Sequence, residues 1–456
     1  MLASQTYNSV VRVARICLLV LVALVGRSAT ARSQHWSLDA RLVGLGAVGG
    51  TATVAGATLD PGDSDTVVVL PFGLLQILRD RNVYHPSSPG FDPVRAVEYA
   101  SNPFHYVVGR SSESSIEARL ASDVRNATLS RDLGRYVGFE PTTGRLADAS
   151  LFSVGHTFWI RSADGHANHG IFVGAGPYVS VETMGAIDER LHEVFATGVD
   201  VADSTLGLSN AAHGQVALAV TGGYRGRLVR RHNASGRASR DGLYFGANYH
   251  FLRGLLYERD DLRMQLNTDQ AGLVLDSSNI VVRHRHASGG VGLAVDLGAT
   301  AVVNRWAVGF VAAGLLNRIN WNDVTETTYL LAGLTSGNRE FTPVVGVGHT
   351  DERVATPADY RGTAEYDVDG WHVKMAAGHG VGGFLAYGGI ERRFKMIELR
   401  GGSQYHLGAW NPAGGVGIAL NQGVSLDVAG FGTNANVEQR RQFGIAVSLR
   451  FKHVER

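Results

Sequence analysis

The residues of this chain best suited to chemistry are dispersed, and each spacing asks for a context that the surrounding sequence must supply. Ser64, in Gly62-Asp63-Ser64, could act as a nucleophile, but a hydrolase needs nucleophile, base and orienting acid together. Asp60-Pro61-Gly62 reads as a turn where a strand should lead into that serine, and no convincing Asp-x-x-His follows late in the chain. His284-Arg285-His286, and His166 with His169, have the spacing of metal ligands. Neither pair is joined by nearby carboxylates as in a catalytic metal centre, so both read as solvated loop histidines. Gly44-Leu45-Gly46-Ala47-Val48-Gly49 matches the dinucleotide fingerprint, but Thr51, Thr53, Val54 and Gly56 follow where that fingerprint needs a helix. It reads as a flexible or strand-like glycine segment. The sequence thus points to no enzyme, no catalytic residue, no cofactor and no metal.

The composition narrows the class. The 456 residues hold 58 glycines but only 11 prolines, are 45% hydrophobic, and lack a Gly-X-Y period, which argues against both collagen and disorder. Arg12 and Arg15, the apolar run Ile16 to Gly26, and Ala29-Thr30-Ala31 read as a signal peptide over residues 1–31. Its removal takes away Cys17, the single cysteine, and with it any thiol chemistry in the exported chain. The 42 basic and 41 acidic residues nearly balance, so nothing steers the chain toward nucleic acid.

No exported segment has 18 consecutive apolar residues; period two recurs instead. Phe443, Ile445, Val447, Leu449 and Phe451 share one face of a strand, and Gly444, Ala446, Ser448 and Arg450 the other. Leu243, Phe245, Ala247, Tyr249 and Phe251 oppose Tyr244, Gly246, Asn248 and His250 in the same way. Val291, Leu293, Val295 and Leu297 oppose Gly290, Gly292, Ala294, Asp296 and Gly298, and Val424, Leu426 and Val428 oppose Gly423, Ser425, Asp427 and Ala429. One face is bulky and apolar, the other small and polar. A closed barrel in lipid has this pattern, and the fold class is an all-β, transmembrane antiparallel barrel of about 14 strands over residues 111–456. Trp159, Tyr178, Tyr249, Trp306 and Trp321 read as girdle residues at the membrane interfaces.

Residues 32–110 depart from the alternation and read as an N-terminal, partly helical plug in the barrel mouth. Phe72 to Asp80 has helical character, and Asp92-Pro93 places an N-cap before an N1 proline. A further helix is expected where Ile187, Leu191, Val194 and Phe195 recur at helical spacing, on a long loop ended by Gly198.

Val295-Asp296-Leu297-Gly298, Asn304-Arg305-Trp306-Ala307-Val308-Gly309-Phe310 and Asn317-Arg318-Ile319-Asn320-Trp321 resemble a consecutive strand pair of FadL-type outer-membrane barrels, especially the TraF- and PorV-like branch. Asp39-Ala40-Arg41 to Gly49 looks like that family's mature start. The Asn-Pro-Ala motif is absent, with Asn102-Pro103 standing much later, and five residues follow Phe451. The resemblance implies a bacterial outer-membrane location, with outer-membrane lipid as a partner. It implies two roles: uptake or binding of a small hydrophobic molecule, or an envelope assembly or secretion-docking barrel with a protein partner. Phe72, Leu75, Leu78, Phe91 and Phe104 are the candidate ligand and plug residues, since together they could line an apolar patch or pack the plug on itself. Replacing Ile445 or Val447 by Arg is expected to cost about 2–4 kcal/mol near the bilayer midplane, and Ser448→Arg less.

Overall fold

The computed structural model describes residues 33–34, 39–46, 66–70, 73, 75–76, 106–108, 135–139, 154–161, 167–197, 199–232, 238–332, 342–380, 383–406, 408–433 and 441–451. In chain order the elements begin with β1 (Ser33–Gln34), α1 (Ala40–Gly44), β2 (Thr66–Val69), β3 (Tyr106–Val108), β4 (Arg135–Phe139), β5 (Val154–Arg161), β6 (Ala167–Ile187) and α2 (Glu189–Thr197). They continue with β7 (Thr205–His232), β8 (Ala238–Asn267), β9 (Asn279–Ala287), β10 (Gly290–Val303), β11 (Trp306–Ala332), β12 (Thr342–Ala355) and β13 (Asp359–Val368). Six shorter strands complete the chain: β14 (Trp371–Gly380), β15 (Gly383–Phe394), β16 (Ile397–His406), β17 (Ala409–Ala419), β18 (Val424–Thr433) and β19 (Gln442–Phe451). The expected signal peptide lies outside the described residues.

Four strand positions are each built from two segments in line. β2 and β3 both pair with β19, β4 and β5 with β6, β9 and β10 with β8 and β11, and β12 and β13 with β11. Elsewhere each strand pairs antiparallel with the next. Leaving aside β1, which lies parallel beside β4, the other eighteen described segments fill fourteen positions.

Two observations show that this sheet curls on itself. Gln34 pairs with Val137 on β4, and Asp39, a few residues on, bonds Arg450 on β19. The chain between them reaches at most about 18 Å, whereas twelve strand spacings in a flat sheet would set β4 and β19 about 58 Å apart. Across the ring, the Tyr178 hydroxyl on β6 donates to Asn317 Oδ1 on β11 at 3.4 Å, which a flat sheet would hold about 19 Å away.

The faces are those of an inside-out protein. Gly444, Ala446, Ser448 and Arg450 on β19 are buried, and Phe443, Ile445, Val447, Leu449 and Phe451 point outward. On β8 Tyr244, Gly246, Asn248 and His250 are buried, while Tyr249 and Phe251 are exposed. Aromatic pairs mark two rims of this apolar exterior. Trp306 and Tyr366 (4.5 Å between ring centres), with Arg392 over Trp371 and Phe394, lie at one end. Phe384, Tyr405 and Trp410 lie at the other. On β15 the run from Phe384 to Phe394, tilted by about 40°, spans about 25 Å, the height of a lipid-facing band. Of the five expected girdle residues, Trp306 sits at a rim and Tyr249 is outward and exposed, while Trp159 is half-buried. Tyr178 and Trp321 are corrections: both are fully buried inside, because the alternation puts them on the small, polar face.

The wall is uneven in height. Strands β13 to β19 are 10 to 12 residues long, whereas β7, β8 and β11 run for 28, 30 and 27. Past Leu256 the outward residues of β8 turn charged, Glu258 and Asp260, so the tall strands leave the apolar band there. Their inner faces meet above it around Trp321, which stacks on Tyr257 at 5.5 Å and donates from Nε1 to Gln215 Oε1 at 3.3 Å. Gly254 and Gly290 make room for that indole, since a Cβ at either would fall within 2.6 and 2.8 Å of its ring. The expected loop helix is α2, with Leu191 on its buried side, but Ile187 ends β6 instead of opening the helix.

Val428 and Val447 form an outward cross-strand pair near the middle of the short strands. Val447→Arg is expected to lower stability by about 2–4 kcal/mol, measured by urea unfolding of protein refolded into lipid vesicles, with Val447→Leu close to unchanged.

Candidate functional site

The lumen beside the short strands holds α1. Asp39 caps it, its Oδ1 accepting from Arg41 N at 2.9 Å, and Gly46 in the left-handed region (φ 75°) ends the turn that follows. This corrects the reading of Gly44 to Gly49 as strand-like: Gly44 closes a helix, and Gly49 lies outside the described residues. Ala40 and Val43 pack on Ala429, Phe431 and Ala446 of the wall. The seat is made of glycine. A Cβ on Gly389 or Gly402 would stand 2.2 Å from the Leu45 carbonyl oxygen, and Gly44 lies directly on Gly415. Part of the glycine excess therefore has a local use, letting helix and wall touch backbone to backbone.

Charge holds the helix in that seat. Arg41 makes a two-pronged contact with Glu391, Nε to Oε2 at 2.9 Å and Nη2 to Oε1 at 2.6 Å. Arg400 donates from Nε to Glu391 Oε2 and from Nη1 to Asp427 Oδ1, both at 2.6 Å, and also bonds Glu398. Arg450 donates from Nη2 to Asp39 Oδ2 at 2.6 Å, and its Nε lies 3.6 Å from Asp427 Oδ2. Ser448 accepts the Ala40 N–H at 3.1 Å and donates to Asp39 Oδ1 at 3.3 Å. The ladder thus runs from Asp39 through Arg450, Asp427, Arg400 and Glu391 back to Arg41. Both of its ends are on or beside α1. Burial by itself would lower the Arg41 pKa, but the Glu391 contact outweighs it and holds the group above its ordinary value, permanently charged. Ser448 also changes an expectation: an arginine there would strike α1, so Ser448→Arg is no longer the mild substitution of its pair.

A second polar chain lies in the wall below the tall strands. Thr221 Oγ1 is 2.7 Å from His250 Nδ1, and His250 Nε2 is 2.7 Å from Asp296 Oδ2. The order is that of a hydrolytic triad. Thr221 is fully buried, however, and Asp296 Oδ1 accepts the Gly314 N–H at 2.9 Å where β10 and β11 shift register. The chain braces an irregular wall instead of presenting a nucleophile. Asp369-Gly370-Trp371-His372 has the Asp-x-x-His spacing, and the structure makes it the turn from β13 into β14, with positive φ at Asp369 and Gly370. Ser64 lies outside the described residues.

Of the candidate ligand and plug residues only Leu75 is described, and it is 45% exposed; Phe72, Leu78, Phe91 and Phe104 lie outside the described residues. His284 and His286 stack at 5.6 Å, with His284 Nδ1 2.8 Å from Asp260, and His169 Nδ1 is 2.6 Å from the Tyr224 hydroxyl. Among the described residues no three His, Cys, Asp or Glu side chains are grouped to hold a metal ion. Sequence reasoning missed the ladder. Its one visible trace was charge on the small faces of successive strands, such as Asp427 and Arg450.

No protein-family model and no curated protein matches the chain. Solved structures with a similar course include the toluene transporter TbuX of Ralstonia pickettii, at 12% identity and a TM-score of 0.35 over 71% of this chain and 87% of that one. The toluene transporter TodX of Pseudomonas putida gives 12% identity and 0.35 over 74% and 94%. A Rhodopseudomonas blastica porin variant gives 10% and 0.21 over 61% and 99%. The barrel assignment itself rests on the strand pairing and the two faces of the wall.

Arg400→Met should cost about 3–5 kcal/mol, because it removes the buried cation shared by Glu391, Glu398 and Asp427. Adding Asp427→Asn should recover part of that loss, read as urea midpoints, because Glu391 keeps Arg41 and Arg450 keeps Asp39. Separately, Gly389→Ala with Gly402→Ala should push α1 off its seat and expose the Arg41 bond to trypsin. N-terminal sequencing would locate the cut, and heat-modifiable gel mobility would report an intact barrel.

Proposed function

We propose that this protein is an exported barrel of the bacterial outer membrane that binds or passes a small, rather hydrophobic molecule, with α1 as the stopper of its lumen. One observation carries the reading: a polar-lined barrel with an apolar exterior, whose lumen holds a short helix that charge, more than apolar burial, keeps in place. A barrel of fourteen positions is wide enough to need such filling. The aromatic rims and the apolar band between them support outer-membrane lipid as the surrounding partner. The FadL-type resemblance favours hydrophobic cargo, and the solved structures with a similar course include two toluene transporters. The TraF- and PorV-like branch is the finer placement within that reading. Export rests on the signal peptide over residues 1–31, and residues 32–110 supply both the stopper and, through β2 and β3, part of the wall.

The protein does no catalysis in this reading; Thr221, His250 and Asp296 are structural. The second reading, a docking barrel that transports nothing, draws on the tall lobe, which rises far beyond what crossing a bilayer needs.

Glu391→Gln removes the charged partner of Arg41, weakens its contact with Arg400 and leaves the strand pairing of the wall in place. Planar-bilayer recordings of the variant should show more frequent openings than the native protein, and vesicles carrying it should take up toluene faster. Unchanged conductance and uptake in a correctly folded variant would favour the docking role. Lipid extraction of the native protein followed by mass spectrometry would identify a hydrophobic ligand that co-purifies.

A further inference from the structure

We infer that the crown of the tall lobe is a docking site for a cationic, amphipathic segment of another protein. The crown is formed by the connections β6–β7 (residues 188–204, including α2) and β8–β9 (residues 268–278). In an outer-membrane barrel the longer connections face outward from the cell. Here the opposite end carries tight turns such as 304–305, 369–370 and 395–396. From Tyr257 to Asn267, β8 lifts the crown roughly 25–30 Å above the apolar band.

The two connections are tied into one body. Asp203 N donates to Asp269 O and Thr268 N to Ser204 O, both at 2.9 Å, and Ser204 N donates to Thr268 Oγ1 at 3.0 Å. Thr268 Oγ1 donates to Val201 O at 2.6 Å. Asp269 Oδ1 accepts from Ala271 N and Leu273 N at 2.8 and 2.9 Å, and Gly272, at φ 81°, lies against Asp200 where a Cβ would come within 2.6 Å. Loops bonded in this way keep one shape, so a partner loses little by ordering them.

What this body displays is apolar. Val199 is 65% exposed and Leu273 64%, with Val274 and Leu275 also exposed beside them. They lie well above the band that faces lipid, so the membrane does not cover them. An exposed apolar cluster on a rigid projection marks an interaction surface. Its rim chooses the partner. The two connections carry Asp188, Glu189, Glu193, Asp200, Asp203, Asp269 and Asp276 against Arg190 as the single Arg or Lys. A partner must therefore bring apolar side chains for the centre and positive charge for the surround, as a basic amphipathic segment does.

The test uses the full-length protein in detergent and two synthetic helical peptides of leucine with lysine or leucine with glutamate, followed by fluorescence anisotropy. The lysine peptide should bind saturably and weaken as salt rises. Binding should fall at least tenfold in Val199→Ser/Leu273→Ser/Leu275→Ser, and likewise in Glu189→Gln/Glu193→Gln/Asp200→Asn. Equal binding of the glutamate peptide, unchanged binding in both variants, or no saturable binding would overturn the proposal. Neither variant touches the lumen, so toluene uptake should match the native protein, and the test stands apart from that of the transport reading.

Discussion

A backbone amide facing hydrocarbon has no water to bond, and leaving it unpaired costs several kcal/mol. A β-chain in lipid meets that constraint only by closing its sheet, and most of this structure follows from the closure. The short reach from Gln34, paired with β4, to Asp39, bonded to β19, is one visible consequence. Another is the inversion of the strands, with Val428 and Val447 outside and Asp427 and Arg450 within. Closure also creates a lumen, which has to be either wet or filled.

The filling is electrostatic to an unusual degree. A buried ion pair gains little net stability over well-packed apolar residues, because desolvation consumes most of the attraction. What the ladder supplies is a defined position. Arg400 is held by carboxylates on three strands, and Asp39 and Arg41 can join the array only with α1 in one register against the wall. The glycine seat sharpens the same choice, since Leu45 fits over Gly389 and Gly402 only at one height.

The tall lobe solves a different problem. Above the apolar band the strands are in water and no longer need a closed ring, so their inner faces can meet. Trp321, Tyr257, Ile319 and Val324 form a small core of the ordinary soluble kind. That core stiffens the strands that raise the crown. Lumen and lobe are therefore built on opposite rules within one sheet, and the change occurs near Leu256.

The sequence by itself determined the class of fold, because period-two alternation with a bulky face and a small, polar face has few physical solutions and the residues that show it are local. Strands such as Gln442–Phe451 and Gly290–Val303 were legible for that reason, and so was the helix around Leu191. The number of strands did not follow, since alternation runs on through a tight turn, as between β13 and β14, and one long strand such as β11 carries more than one run. Only tertiary structure decided what fills the lumen. Arg41 and Glu391, or Asp39 and Arg450, are separated by hundreds of residues, and no local pattern states which charges will meet. The inward place of Trp321 and Tyr178 was hidden for a related reason. An aromatic on the small face looks like a girdle residue until strands that are not its neighbours come near and supply its hydrogen-bond partner, Gln215 for Trp321 and Asn317 for Tyr178.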